Sequence, residues 1–143
     1  MTAETSSKSS RIVFAILSGM TALGVVLQGL WAGLFLSSDN RPETWVHVHD
    51  VGAWATLVLA AATAVWALVR LRRRVALLVG SIVLVLLVAG EAHLGGMITD
   101  RGADALTAVH VPLAMALLGV AVWLPVHALR SRGSRGLPGN VGA

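Results

Sequence analysis

The amino-acid sequence predicts an all-α integral membrane protein, a four-helix up-and-down bundle with both termini in the cytoplasm. Three observations support this prediction: the composition, four long apolar runs, and the distribution of lysine and arginine. Of the 143 residues, 56% are hydrophobic and only 13% are charged. A soluble domain carries about twice that share of charged residues, so most of the apolar side chains are expected to face lipid.

Each of the four apolar runs is close to the ~20 residues that a helix needs to cross the hydrocarbon core. The runs cover approximately residues 12–36, 45–69, 75–99 and 105–129. Each is predicted to be helical, because backbone groups left unpaired in lipid are too costly. The chain therefore divides into a polar N-terminal tail (1–10), the bundle (11–130) and a tail rich in Gly, Arg and Pro (131–143), which we expect to be disordered.

The basic residues lie at the ends of the apolar runs and indicate the orientation of the chain. Lys8 and Arg11 precede the first run, and four arginines separate the second run from the third (Arg70, Arg72, Arg73 and Arg74). The two remaining connections contain only Arg41 and Arg101. The positive-inside rule then places both termini in the cytoplasm, with the cell membrane as the expected location. No basic stripe typical of a nucleic-acid surface is predicted.

The histidines are expected to meet near the outer surface. Short connections make consecutive helices antiparallel neighbours, so the second and fourth helices face each other across the bundle axis. Pro42 is predicted in the first turn of helix two and Asp104 at the N-cap of helix four. Counted from these starts, His47, His49 and His110 lie at similar depth. The chain has no cysteine, so a bound metal would need histidine or oxygen ligands.

Two imidazoles on facing helices can supply both axial ligands of a haem iron. We favour His49 over His47 because the residues that follow His49 on its face are small and leave room for a flat macrocycle. These residues are Gly52, Ala53, Thr56 and Ala60. The sequence therefore predicts haem b (heme) bound by His49 and His110. With both axial positions filled, electron transfer, haem handling or sensing is favoured over catalysis, and a redox partner or a membrane complex is expected.

Other polar residues of the spans are predicted to have secondary roles at this site. His47 is expected at the membrane interface or beside a propionate, and Gln28 either hydrogen-bonds the ligand or joins two helices. His93 is a weaker candidate ligand because it lies near a helix C-terminus, where the dipole favours a cation. Glu91 and His93 point in nearly opposite directions, so only one of them is expected to face the bundle.

Two other interpretations remain open. In the first, the histidines of the outer half bind a bare ion such as zinc or copper. The donors would be His47, His49, His93 and His110, with Asp50 or Glu91. In the second, the protein is a structural or regulatory membrane subunit without a cofactor, in which the histidines only join helices and the small residues pack against a neighbour.

Three segments carry a resemblance to a known family. HVHDVGAWATLVLAAATAVWALVRLRRR and AVHVPLAMALLGVAVWLPVHALR, with VLLVAGEAHLGGMITD between them, resemble one four-helix half of the haem A synthase family. They are also similar to small bacterial four-helix membrane proteins whose first helix contains Gln and Gly, as in LQGLWAGLF here. In that family, histidines on the second and fourth helices face haem, so the resemblance implies His49 and His110 as ligands.

The chain also departs from the synthase pattern. It has one bundle in place of two, no cysteine pair in an outer loop, and Val46 where the synthases have a Glu three residues before the histidine. Haem-oxidising chemistry is therefore not expected.

Overall fold

The computed structural model describes residues 3–38, 40 and 42–130, with side chains described from residue 8 onward, and nearly all of these residues are helical. Helix α1 spans Ala3–Leu36, α2 spans Glu43–Arg70, α3 spans Val75–Arg101 and α4 spans Thr107–Arg130. The four predicted helices are confirmed. Helix α1 begins at Ala3 and so includes most of the polar N-terminal stretch, whereas the predicted C-terminal tail lies outside the described residues.

The helices form a ring in which sequence neighbours pack together. Helix α1 contacts α2 and α4, and α3 contacts the same two helices. Within the described part of the chain, the backbones of α2 and α4 make no close approach, and neither do those of α1 and α3. The all-helical four-helix bundle is thus confirmed, with α2 and α4 diagonally opposite.

The ends of α2, α3 and α4 follow local backbone chemistry. Pro42 is the N-cap of α2, one residue before the helix, where its missing N–H costs nothing. Gly102 ends α3 in the left-handed conformation (φ 65°) that glycine adopts without a steric penalty. Asp104 is not the N-cap of α4, because it begins a turn of 3-10 helix, Asp104–Leu106, that leads into α4.

The surface and the interior have the composition expected of a membrane bundle. Four segments are long and apolar enough to cross a membrane, namely Lys8–Leu36, Glu43–Arg70, Val75–Arg101 and Asp104–Arg130. Large apolar side chains such as Leu23, Val58 and Leu86 point outward, while small residues such as Ala60 and Ala121 are fully buried. Small residues let helices approach closely where lipid gives no hydrophobic drive between them.

The two ends of the bundle differ in packing. We call the end that carries Arg70, Arg72, Arg73 and Arg74 the arginine end, and the opposite end the histidine end. The half of the bundle at the arginine end contains most of the fully buried side chains, including Phe14, Leu77, Leu84 and Leu124. In α4, the first buried residue is Leu117, so none of the described residues of α4 before it is buried.

Candidate functional site

Each helix contributes one polar residue to a single layer near the histidine end. These residues are Gln28 of α1, His49 of α2, Glu91 of α3 and His110 of α4, and we call them the polar layer. His49 lies in the second turn of α2 and His110 in the first turn of α4. The layer therefore contains one histidine from each of the two diagonal helices.

His49 is oriented by the backbone of α1. Its Nδ1 lies 3.1 Å from the main-chain carbonyl oxygen of Gln28. A carbonyl oxygen only accepts, so Nδ1 must carry the hydrogen, which leaves the lone pair of a neutral ring on Nε2. The ring of Phe35 also meets the imidazole edge to face, with a centroid distance of 5.5 Å. Gln28 thus acts on His49 through its backbone and not through its amide.

His110 is paired with a carboxylate of the neighbouring helix. Its Nδ1 lies 2.8 Å from Oε2 of Glu91. The distance is short, but the angles are not those of an aligned hydrogen bond. Glu91 is only 8% exposed, whereas His93 is exposed, so the expectation that one of the two faces the bundle is confirmed. Sequence analysis did not assign Glu91 to the haem site, although a carboxylate inside a span is itself a functional signal.

The polar layer contains buried polar atoms that no described residue satisfies. They are Nε2 and Oε1 of Gln28 and Oε1 of Glu91, while Nδ1 of His110 has only its 2.8 Å contact with Oε2 of Glu91, which is not aligned as a hydrogen bond. Most buried polar atoms in proteins are hydrogen-bonded, and each one left without a partner costs ~1–3 kcal/mol. Their grouping in one layer is therefore the feature of the histidine end that most needs a physical explanation, and a bound polar group or water would provide it.

The small residues below His49 pack against α1 in this structure. A Cβ at Gly52 would overlap the ring of Trp31 and the amide of Gln28, and a Cβ at Gly24 would lie 2.7 Å from Oγ1 of Thr56. At Gly52 and Thr56, therefore, the space expected for a macrocycle is taken up by α1. The cofactor contacts of Gly52 and Ala53 remain predictions.

The other side of the layer is more open. A Cβ at Gly95 of α3 would meet one described atom within 4 Å, Cε1 of His110, at 3.7 Å. The facing half of α4 has no buried residue among those described before Leu117. The space beside His110 is thus bounded by a glycine and a loosely packed helix. Gly95 was not singled out by sequence analysis, because a glycine inside a membrane helix is common.

The remaining histidines lie apart from the polar layer. His47 and His93 are exposed, and His127 stacks on Trp123 at the arginine end, with ring centroids 4.6 Å apart. Among the described residues, no three His, Asp or Glu side chains are grouped in a way that could hold a metal ion. The four-histidine set proposed for a bare ion is therefore not assembled here.

No protein family matches this chain, and no curated protein or solved structure is significantly similar to it.

Proposed function

We propose that this protein is a membrane haem protein that binds b-type haem through Nε2 of His49 and Nε2 of His110. The site lies near the non-cytoplasmic face of the cell membrane, and both termini are cytoplasmic. The protein serves electron transfer, haem handling or sensing, in contact with a redox partner or a membrane complex.

The observation that supports this proposal best is the way both rings are held. A histidine that binds a metal through one nitrogen almost always has its other nitrogen fixed by a carbonyl or a carboxylate. Nδ1 of His49 faces the carbonyl oxygen of Gln28, and Nδ1 of His110 faces the carboxylate of Glu91. Neither Nε2 has a partner among the described residues. Both imidazoles thus present the same free nitrogen from diagonal helices.

The unsatisfied atoms of the polar layer also fit a haem. The buried amide of Gln28 can donate to a propionate, and its own partner is missing among the described side chains. A Cβ at Gly95 would meet only Cε1 of His110, at 3.7 Å, and no described residue of α4 before Leu117 is buried, so we expect the apolar macrocycle to lie on this side of the polar layer. When bound, haem supplies reversible one-electron chemistry, and two histidine ligands leave no coordination site for a substrate.

The test is an absorption spectrum of the full-length protein, purified in detergent and loaded with haem b. We expect a low-spin spectrum with a Soret band that shifts on reduction, and at least a tenfold loss of affinity for haem in His49→Ala and in His110→Ala. His93→Ala is the matched control, because His93 is exposed and belongs to the same end of the bundle. The control should bind haem like the wild-type protein.

Two results would count against the proposal. The first is a wild-type protein that takes up no haem. The second is equal loss of absorbance in His93→Ala and His110→Ala, which would indicate non-specific association of haem with the detergent-solubilised protein.

A specific observation also favours a second function, that of a structural or regulatory subunit. The contacts of His49 with Gln28 and of His110 with Glu91 each join two helices, as interhelical hydrogen bonds do in membrane bundles. On this hypothesis, His110→Gln lowers the free energy of unfolding by ~1 kcal/mol and no chromophore exists to be lost. The spectrum of the wild-type protein separates the two functions.

A further inference from the structure

The charges of this chain are separated between the two ends of the bundle. Six of its seven acidic residues occur, along the sequence, in the connections at the histidine end or in the adjacent halves of the helices: Asp39, Glu43, Asp50, Glu91, Asp100 and Asp104. The seventh is Glu4, whose side chain is not described. Along the sequence, residues 70–74 thus hold four arginines and no carboxylate.

The arginines of this connection lie on a tight and well-fixed turn. The N–H of Leu71 donates to the carbonyl of Ala67 at 2.8 Å, and the N–H of Arg74 donates to the carbonyl of Leu71 at 2.7 Å. Leu71 is buried, which fixes the turn to the bundle. The guanidinium of Arg70 lies over the ring of Trp66, 5.5 Å from its centroid. The turn is thus held to the bundle by backbone hydrogen bonds and by the buried side chain of Leu71.

The remaining arginines have no acidic partner in the part of the chain that is described. Arg72, Arg73 and Arg74 take part in no ion pair or hydrogen bond of their side chains there. Arg74 is also the N-cap of α3, where no side chain caps the helix. The first N–H groups of α3 and its positive dipole end therefore add to the charge of the turn.

A concave space is formed by this turn. It has a volume of about 330 Å³ and is lined by Val69, Leu71 and the four arginines Arg70, Arg72, Arg73 and Arg74. Of the two apolar side chains that line it, Leu71 is buried and Val69 is 65% exposed. The space thus combines four arginines with one exposed apolar side chain.

We propose that this space binds the phosphate of an anionic phospholipid headgroup. Guanidinium groups bind phosphate through paired hydrogen bonds, and the exposed side chain of Val69 offers apolar contact to an acyl chain of the same molecule. A free phosphate ion would use the arginines but would gain nothing from Val69. The turn joins two helices that are long and apolar enough to cross a membrane, so we expect it at the level of the headgroups.

The experiment compares lipid binding by native mass spectrometry of the full-length protein in detergent, with phosphatidylglycerol and phosphatidylcholine as probes. Each basic residue near an anionic headgroup is worth about a fivefold change in binding, so the triple variant Arg72→Gln/Arg73→Gln/Arg74→Gln should lose its preference for phosphatidylglycerol on the order of a hundredfold. The matched control Lys8→Gln/Arg101→Gln/Arg130→Gln removes the same charge elsewhere and should keep most of that preference.

A second variant tests the geometry of binding. In the lysine variant, Arg72→Lys/Arg73→Lys/Arg74→Lys, the charge is kept but the planar guanidinium groups, which bind phosphate through paired hydrogen bonds, are lost. This variant should bind phosphatidylglycerol more weakly than the wild-type protein and more strongly than the glutamine variant. Equal binding by the glutamine variant and the matched control would overturn the proposal. So would displacement of the lipid by millimolar inorganic phosphate, because the site would then belong to a free anion.

Discussion

The two halves of the bundle differ in the hydrogen-bond partners of their buried polar groups. In the half at the arginine end, the buried hydroxyl groups bond to their own helix: Ser18 to the carbonyl of Phe14, and Thr63 to the carbonyl of Leu59, both at 2.8 Å. In the polar layer, buried atoms of Gln28, Glu91 and His110 have no such partner among the described residues. Hydroxyl groups can be satisfied locally within a helix, whereas amides, carboxylates and imidazoles require another helix or a ligand.

This difference indicates that the two halves of the bundle have different roles. The tightly packed half holds the four helices together, and the half with the polar layer is the one to which we assign the proposed haem. The following variants test this contrast, because each should affect stability and the proposed haem binding to a different extent.

Leu84→Ala should have the largest effect on stability. Leu84 is fully buried, so its removal leaves a cavity in the packed half and lowers the free energy of unfolding by about 3 kcal/mol. The measurement is unfolding of the protein in mixed micelles by increasing amounts of sodium dodecyl sulfate. The haem spectrum of the folded fraction should not change. A shifted spectrum would show that the two halves are not independent.

Gly52→Ala should have the second-largest effect on stability. The new methyl group would overlap the ring of Trp31 and the amide of Gln28, so these side chains must move, at a cost of about 2 kcal/mol. The same unfolding experiment measures this loss. Gly95→Ala is the matched control: its methyl group would only touch His110, and it should stabilise the protein by roughly 0.5–1 kcal/mol through the higher helix propensity of alanine. Equal effects of the two variants would contradict the packing described here.

Glu91→Gln should have a smaller effect on stability and a clear effect on the iron. A neutral amide at this position can still face Nδ1 of His110, so we expect a loss of about 1 kcal/mol in unfolding free energy. In the proposed haem site, a carboxylate that accepts from the N–H of His110 would push electron density toward the iron and favour its oxidised form. The amide oxygen is neutral and a weaker acceptor, so the reduced form would become more favourable. The reduction potential should therefore rise, as measured by spectroelectrochemical titration.

Asp50→Asn is the control for this measurement, because Asp50 is exposed on the same half of the bundle. An unchanged potential in Glu91→Gln would mean that Glu91 does not tune His110. A potential that shifts equally in Asp50→Asn would indicate a general electrostatic effect.

Thr63→Val should have the smallest effect. The hydroxyl of Thr63 bonds only to the carbonyl of Leu59, which can keep its helical hydrogen bond, and valine has nearly the same shape. We expect a change within about 0.5 kcal/mol in the unfolding experiment. A loss of more than about 1.5 kcal/mol would show that this hydroxyl contributes more than a local bond.

The fold could be predicted because the signals that define it are strong and local. The lengths of the apolar runs give four helices, and the short connections arrange them as antiparallel neighbours. The site could be predicted only in part. His47 is exposed and His49 contacts α1, but the choice of His49 over His47 as a ligand remains a prediction. The haem itself remains a prediction. The partnership of Glu91 with His110 was missed, because the two residues are 19 positions apart on different helices.

Four apolar helices follow from the amino-acid sequence alone, and the positions of lysine and arginine distinguish the two ends of the bundle. Which atoms meet follows only from the packing of the helices. Apolar residues cover every side of these helices, so their pattern does not reveal which face turns inward. That rotation depends on close contacts such as Trp31 over Gly52 and Thr56 against Gly24. These contacts set the direction of His49 and, through the ring of helices, bring Glu91 to His110.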